Sequence, residues 1–289
     1  MLDTARSDAD NRHSYLFTAP VRVLTADTLT DVPPLLEAID EVVEQGGYVA
    51  GYLAYEAGFA FEDRAGTPAG DQPLAWFGVY EAPVVLDEQA VCRLLDEEES
   101  TSFALTNARL AIDRDDYLEK IEAVKAHIHA GDVYQVNVTD RVVFNFDGSS
   151  RALYRALRRQ QRVSYGAYVH TGETEILCCS PERFFKRTED HIAVRPMKGT
   201  AHRGLTLEED QVQQRSLAAD PKSRAENLMI VDLMRNDLSR CCRPGSVQVR
   251  DLFTTEVYET LIQMISTIEG RLREDISYAD LFRALFPCG

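Results

Sequence analysis

The chain has 289 residues, of which 45% are hydrophobic, so it is long enough for one large domain or two ordinary ones with a sizeable core. Its formal net charge of −16 argues against a nucleic-acid partner, because the surface would repel the phosphates. Any site for an anionic ligand must therefore be built locally, from cations, backbone amides or a metal ion.

The cysteines and the hydropathy pattern indicate a cytoplasmic protein. Six cysteines occur, among them two adjacent pairs, and this spacing is typical neither of a zinc site nor of a disulfide framework. We expect them to be free thiols in a reducing compartment. The first residues lack the apolar core of a signal peptide, and no apolar run approaches membrane-spanning length, so we expect no membrane partner.

Two regions are expected, residues 1–100 and residues 101–289. The acidic run at residues 96–100 predicts a solvated connection between them. Composition and periodicity predict the secondary structure of the first region. The predicted elements are strands at residues 21–24 and 48–53, a helix at residues 34–44 and a loop at residues 66–73.

The second region opens with a predicted helix. Asp113 is a typical N-cap, Gly131 is a typical helix end, and apolar residues recur on one face between them. That face consists of Leu118, Ile121, Val124 and Ile128. Residues 133–139 are rich in β-branched side chains and predict a strand. Ser149 or Ser150 then predicts the start of a basic helix over residues 151–162.

The rest of the second region mixes strands and helices. The predicted strands are residues 166–170, 175–179, 191–195 and 257–269, and the predicted helices are residues 207–219 and 222–240. Because few strand–helix–strand crossovers occur, we predict an α+β fold with layered, largely antiparallel β-sheets flanked by helices. No glycine-rich phosphate-binding motif occurs, so nucleotide binding has no support in the sequence.

Lys198 and Glu182 are the first candidates for chemistry. Residues 196–200 read Pro-Met-Lys-Gly-Thr, so a proline and a glycine place Lys198 at a bend rather than on a solvated helix face. Glu182 also follows a proline and precedes apolar residues. An amine and a carboxylic acid on kinked backbone could act as nucleophile and general acid. Taken singly, each is more simply explained as a solvated turn residue.

Glu226 is a third candidate, near the start of a predicted helix. At about 3.6 residues per turn, it would share one helix face with three later residues. These are Ile230, Leu233 and Asp237. A carboxylate on such a partly apolar stripe must be paired, hydrogen-bonded or metal-bound. One interpretation is an oxygen ligand for Mg²⁺, and the other is an ordinary glutamate that the helix dipole favours.

Five motifs, in their order and spacing, resemble the chorismate-utilising enzymes, the family that includes component I of aminodeoxychorismate synthase and of anthranilate synthase. They are residues 131–137, 180–184, 196–200, 226–237 and, more weakly, 263–270. Residues 51–58 read Gly-Tyr-Leu-Ala-Tyr-Glu-Ala-Gly and are similar to the amino-terminal part of the family. The resemblance therefore covers nearly the whole chain.

Two positions select a branch of this family. Anthranilate synthases typically carry a small residue where this chain has Lys198, whereas aminodeoxychorismate synthases typically carry the lysine. Relatives that add water to chorismate place a general-base lysine where this chain has Gln135, and glutamine cannot deprotonate water. The resemblance therefore implies amination of chorismate at C4, the reaction that leads to p-aminobenzoate and folate.

The resemblance also implies a role for each candidate residue. Lys198 would attack the chorismate ring, and Glu182 would act as general acid on the leaving hydroxyl. Glu226 would hold Mg²⁺ against the ring carboxylate. Further substrate contacts would come from Gly199, Thr200 and Gln263, the last of which is histidine in many relatives. Ammonia would come from a glutamine amidotransferase subunit, because the sequence shows no glutaminase signature with a nucleophilic cysteine.

Alternatives remain open within this resemblance. Component I of anthranilate synthase is the nearest, although Lys198 disfavours it. In the family, the segment that matches residues 285–289 continues into a Ser-x-Thr-Gly-Ala-Pro-Lys motif and then to further magnesium and carboxylate ligands, none of which this sequence contains. We therefore expect a C-terminally truncated member, incomplete in its fold and with little activity on its own. A non-catalytic binding or assembly protein is the second alternative.

Overall fold

A computed structural model describes residues 1–8, 10–62, 72–96 and 102–288 of the chain. These residues form two compact units. The first unit joins Met1–Leu94 to Ala156–Gly289, and the second unit is Leu95–Arg155. The division that the sequence suggests at residue 100 stays a prediction. Among the described residues, no helix combines the length and the apolar character needed to cross a membrane.

The strands of the described residues pair in antiparallel fashion throughout. In chain order they are β1 (Leu2–Asp3), β2 (Ser14–Leu16), β3 (Arg22–Ala26), β4 (Tyr48–Leu53), β5 (Ala75–Tyr80), β6 (Val84–Leu86), β7 (Phe103–Leu110), β8 (Val142–Gly148), β9 (Tyr165–His170), β10 (Glu175–Ser180), β11 (Lys186–Thr188), β12 (His191–Val194), β13 (Met197–His202), β14 (Gln248–Val257) and β15 (Leu261–Arg271). Together with the helices, this pairing confirms the predicted α+β class and its antiparallel sheets.

The helices begin and end close to the positions that the capping residues predict. They are α1 (Val32–Glu44), α2 (Glu88–Asp96), α3 (Arg114–Ala130), α4 (Ser150–Gln160), α5 (Leu207–Ala219), α6 (Pro221–Cys241) and α7 (Tyr278–Leu285). The Asp113 carboxylate accepts the N–H groups of Asp115 and Asp116 at the start of α3, and Gly131 ends that helix with φ of 81°. The Ser149 hydroxyl accepts the N–H of Ala152 in the first turn of α4.

The first unit contains three sheets. One has the order β10-β9-β1-β2-β6, and a small one has the order β3-β5-β4. In the third, β15 pairs along one edge with β12 and then β13, and along the other edge with β14. Helix α6 packs on β13 and β15. This third sheet with its helix carries most of the residues that the sequence singled out.

The buried face of α6 differs from the predicted one. The side chains that turn inward are Asn227, Val231, Met234, Leu238 and Cys241. All of these except Asn227 join strand residues such as Ile192 and Ile268 in one hydrophobic cluster. Glu226 is therefore one position off the core stripe, and Leu233, which was expected to share its apolar face, is 40% exposed. The prediction was wrong because aliphatic residues occur on both faces of this helix, and Asn227 is the polar residue in the core register.

Two predicted strands need correction. Residues 133–139 lie outside every strand of the described range 102–288, and Tyr134 is 88% exposed. β-branched composition favours a strand only where a neighbouring strand pairs with it. The predicted strand 257–269 is two strands, since β14 ends at Val257, and Tyr258 donates its N–H to the carbonyl of Leu261 across a tight turn. That turn contains no glycine or proline to reveal it.

Two predicted connections fall largely outside the described residues. Residues 66–71 of the predicted loop and residues 97–100 of the acidic run belong to this group. Elsewhere the strands predicted at residues 48–53, 166–170, 175–179 and 191–195 are confirmed to within one residue at each end.

Candidate active site

Lys198 lies in strand β13, at an irregularity in its pairing with β15. Met197 pairs with Ile265 and Thr200 pairs with Gln263, so one extra residue is accommodated between these two pairs. This is a β-bulge, and it produces the bend that the flanking proline and glycine predict. The side chain of Lys198 is half-buried. A bulge is a common way to redirect a functional side chain out of a regular sheet.

Gly199 makes this bulge possible. Its φ is 103°, a conformation that residues with a side chain rarely adopt. A Cβ atom at this position would lie 3.0 Å from the Cβ of Ser223 and 3.3 Å from the Cβ of Met264. Both the backbone conformation and the close packing on α6 therefore require glycine beside Lys198.

Glu182 follows strand β10 and comes near Lys198. Its N–H donates to the hydroxyl of Ser180 at 3.1 Å, and its carboxyl group accepts a hydrogen bond from the backbone N–H of Met197. Much of the residue is accessible, yet enough neighbouring atoms surround the carboxyl group for desolvation to raise its pKa, against the opposing effects of Met197 and Lys198. The structure thus brings together an amine and a carboxyl group whose pKa is raised.

Thr200 and Gln263 face each other across the β13–β15 pair. The Thr200 hydroxyl donates to the Gln263 side-chain oxygen at 3.2 Å. Thr200 lies two positions after Lys198, and Gln263 is the residue of β15 that pairs with Thr200. They offer hydroxyl and amide groups to a polar ligand next to Lys198.

Glu226 stands on the adjoining helix. Its side chain is 34% exposed and lies 3.7 Å from the ammonium group of Lys222, one turn earlier. The described residues contain no group of three or more His, Cys, Asp or Glu side chains arranged to hold a metal ion. Glu226 therefore offers a single carboxylate, and a cation bound to it would need further ligands from elsewhere.

Gln135 lies in the second unit, in the irregular segment that follows α3. Its amide donates to the Asn137 side-chain oxygen at 3.4 Å. The Gln135 position thus belongs to a different compact unit from Lys198, Glu182 and Glu226.

Two residues near Lys198 escaped the sequence analysis. Burial is the main cause that raises the pKa of the Cys288 thiol; the Glu182 carboxylate adds to it and Lys198 opposes it, so this cysteine lies close to both groups. Asn227 is fully buried and donates from its amide to the Lys198 carbonyl at 3.2 Å. A polar residue in the i, i+4, i+7 register of a buried helix face would have been the signal for Asn227.

Comparison with known proteins shows which sequences this chain is similar to. The sequence profile described as chorismate binding enzyme matches residues 4–289. Component 1 of aminodeoxychorismate synthase from Klebsiella aerogenes is 37% identical over 262 residues, which are 84% of this chain and 58% of that protein. Component 1 of anthranilate synthase from Acinetobacter calcoaceticus is 42% identical over 184 residues, 61% of this chain and 37% of that protein.

A solved structure agrees on the fold. Anthranilate synthase component I from Streptococcus pneumoniae TIGR4 superposes with a TM-score of 0.83 at 22% identity, over 98% of this chain and 74% of the other. The chain thus spans 58% of the length of its Klebsiella relative and about three quarters of this neighbour.

Proposed function

The chain belongs to the chorismate-binding enzyme family, and on that premise we propose that it performs the reaction of component I of aminodeoxychorismate synthase. The observation that carries the proposal is the placement of Lys198 in a β-bulge within electrostatic reach of Glu182. The relatives that match 84–85% of the chain are components of aminodeoxychorismate synthase, which points to the same reaction. The product would be 4-amino-4-deoxychorismate, on the route to p-aminobenzoate and folate.

The proposed chemistry has two displacement steps. Lys198, as a neutral amine, forms a bond to C2 of the chorismate ring while the C4 hydroxyl leaves as water. Glu182, in its protonated form, supplies the proton for that water, and the direction of its pKa shift is the one that this role requires. Ammonia then forms a bond to C4 while the bond between C2 and the Lys198 nitrogen breaks and the amine leaves in neutral form. The Glu182 carboxylate takes one proton from the new ammonium group at C4 and is thereby reprotonated. The lysine is regenerated, so no other co-reactant is consumed.

The neighbouring residues would orient the substrate. Thr200 and Gln263 present a hydroxyl and an amide at the pair of strand positions next to the bulge. Gly199 leaves the backbone there without a side chain, so a ligand can approach its N–H closely. These groups would bind the polar substituents of the ring and hold C2 in reach of Lys198.

A magnesium ion is part of the proposal, with Glu226 as one of its ligands. When bound, it would neutralise a substrate carboxylate that this acidic protein otherwise disfavours. The remaining ligands would come from the substrate, from water and from polypeptide other than the described residues. Loss of turnover in Glu226→Gln, restored in part by high magnesium concentrations, is the expected sign of this role.

The ammonia would be supplied by a glutamine amidotransferase subunit in the cytoplasm. A relative named component 1 is by its name one part of a larger synthase. Ammonium salts should replace that partner, because the second step uses free ammonia. The acidic surface gives no reason to expect a nucleic-acid partner.

Mass spectrometry of the protein incubated with chorismate in the absence of ammonia tests the nucleophile. The full-length protein should be used, with Mg²⁺ present. We expect a covalent adduct that disappears in Lys198→Ala and persists in Lys186→Ala, a control that removes another lysine of the first unit. An adduct that survives Lys198→Ala would contradict the proposal.

Component I of anthranilate synthase is the second candidate, favoured by the 42% identity of the Acinetobacter relative. The two reactions differ in the ring position that receives nitrogen. Chromatography of the products formed from chorismate and ammonium separates them. Anthranilate as the main product would establish the second candidate, and 4-amino-4-deoxychorismate the first.

A further inference from the structure

We propose that Asn227 is a positioning residue, which holds the backbone of Lys198 against helix α6 and thereby aims the amine, and that Ser266 fixes its orientation. The inference rests on the proposed function, since it assigns a purpose to the placement of Lys198. Asn227 itself touches no reacting atom in this scheme.

Asn227 links three elements of the first unit from inside the core. Its side chain is 0% exposed. The amide nitrogen donates to the carbonyl of Lys198 at 3.2 Å and lies 3.5 Å from the carbonyl of Met264, while the amide oxygen accepts from the hydroxyl of Ser266 at 2.5 Å. One side chain on α6 is therefore bonded to β13 and to β15, and its donor and acceptor groups are both used.

The bulge creates the need for this contact. In a regular strand the carbonyl of Lys198 would accept a hydrogen bond from the neighbouring strand, but the extra residue between Met197 and Thr200 interrupts the pairing. A carbonyl enclosed by protein needs a donor, because leaving it without one is costly. Asn227 supplies that donor from the helix, so the bulge is stable only with α6 in place.

Ser266 extends the same arrangement to the other edge of β15. Its hydroxyl also accepts the N–H of Phe253, a residue with φ of 57° where β14 in turn loses register. Its own N–H donates to the carbonyl of Pro196, two residues before Lys198. The buried Asn227–Ser266 pair thus satisfies backbone groups at two irregularities, one on each side of β15.

The adjacent residue on α6 gives the contact a second consequence. Glu226 precedes Asn227, and successive helix residues point about 100° apart. Asn227 faces the sheet, and Glu226 lies at the half-exposed edge of the helix beside Lys222. Fixing Asn227 to the carbonyl of Lys198 therefore also fixes the backbone of Glu226 relative to the strand that carries the amine.

Kinetics of Asn227→Ala and two controls test the proposal. A small misplacement of a reacting group can cost about 10²-fold in rate, so we expect kcat with chorismate and ammonium to fall by about that factor while KM changes little. Val231→Ala removes a side chain from the same buried helix face without touching Lys198, and it should leave kcat of the folded protein within about twofold. Asn236→Ala, on the exposed face of α6, should change neither quantity.

Hydrogen–deuterium exchange of the segment 197–200 gives a readout that needs no substrate. Loss of the Asn227 contact should speed exchange there by about tenfold, whereas Val231→Ala should not single out this segment. If wild-type protein forms no adduct with chorismate, the proposed function fails, and the exchange data still decide whether Asn227 orders the bulge. Wild-type kcat and exchange in Asn227→Ala, or an equal kcat loss in Val231→Ala, would overturn the inference.

Discussion

Helices α3 and α6 carry similar apolar periodicity but have different surroundings. In α6, five side chains of one face are buried, and β13 and β15 pack against it. In α3 no residue is buried, and Leu118 and Ile128 of its predicted apolar face are 44% and 41% exposed. The strands show the same contrast, since β15 is largely buried whereas the residues of β7 and β8, all of which the structure describes, are exposed.

The difference shows what a hydrophobic pattern can and cannot determine. The pattern identifies the face that a helix is able to bury, but it contains no information about what covers that face. Most of the stability of a protein helix comes from such packing rather than from the helix itself. A two-stranded sheet is likewise marginal without a partner layer. We therefore expect substitutions in the two regions to differ sharply in effect.

The largest contrast is expected between matched leucine truncations. Leu238→Ala removes a fully buried side chain of α6 and should lower the free energy of unfolding by about 3 kcal/mol. Leu118→Ala on α3 should lower it by less than about 0.5 kcal/mol, because that side chain is already largely solvated. Denaturant unfolding of both variants measures this. Equal losses would show that the apolar face of α3 is covered in solution.

A smaller contrast is expected between two glycines with positive φ. Gly199→Ala should lower the free energy of unfolding by about 2 kcal/mol, because its φ of 103° is unfavourable for alanine and the added Cβ would crowd Ser223 and Met264. Gly131→Ala should lower the free energy of unfolding by about 1 kcal/mol. Its φ is also positive, but no atom lies within 4 Å of the added Cβ. Thermal unfolding shows which of the two variants is less stable, and a larger loss of stability in Gly131→Ala would refute the packing argument.

The smallest effects are expected for two carboxyl groups, and they should have opposite signs. Burial raises the pKa of Glu182 above its unfolded value, so its ionisation costs stability as pH rises through the folded pKa. The backbone N–H of Ile112 is the main cause that lowers the pKa of Asp140, so that group contributes stability above its unfolded pKa and loses it as pH falls.

Melting temperatures between about pH 3 and pH 8 test both signs. The Tm difference between Glu182→Gln and wild type should become more positive as pH rises. The difference between Asp140→Asn and wild type should become more negative as pH rises past the ordinary aspartate pKa of 3.8, and should then stay constant. Parallel curves for the two variants would contradict the assigned environments.

Local signals in the sequence predicted most boundaries of helices and strands, and they also predicted the site residues that lie beside such signals. Caps such as Asp113 and Gly131 act within a few residues, and so do the proline and glycine around Lys198. Those interactions need no knowledge of distant chain segments. The pairing of Glu182 with Lys198 was suggested by the similar bends around them, and the resemblance to a family then gave each residue a role.

The features that escaped prediction depend on distant partners. Whether residues 133–139 become a strand depends on a pairing neighbour, and the helix face that is buried depends on which of two partly apolar stripes meets a sheet. Asn227 was overlooked because its partners, Lys198 and Ser266, lie 29 and 39 residues away. An amide in an aliphatic stripe was nevertheless a visible anomaly in the sequence.

Strand β15 is shared by three others, and this limits how the chain can change in length. Val194 pairs with Ile268, Thr200 pairs with Gln263, and Glu256 also pairs with Gln263 from the opposite edge. Deleting one residue within β15 would shift every pairing beyond it and would exchange inward and outward side chains on both edges. Insertions and deletions in homologous sequences should therefore fall in the connections between these strands, whereas β15 keeps a constant length.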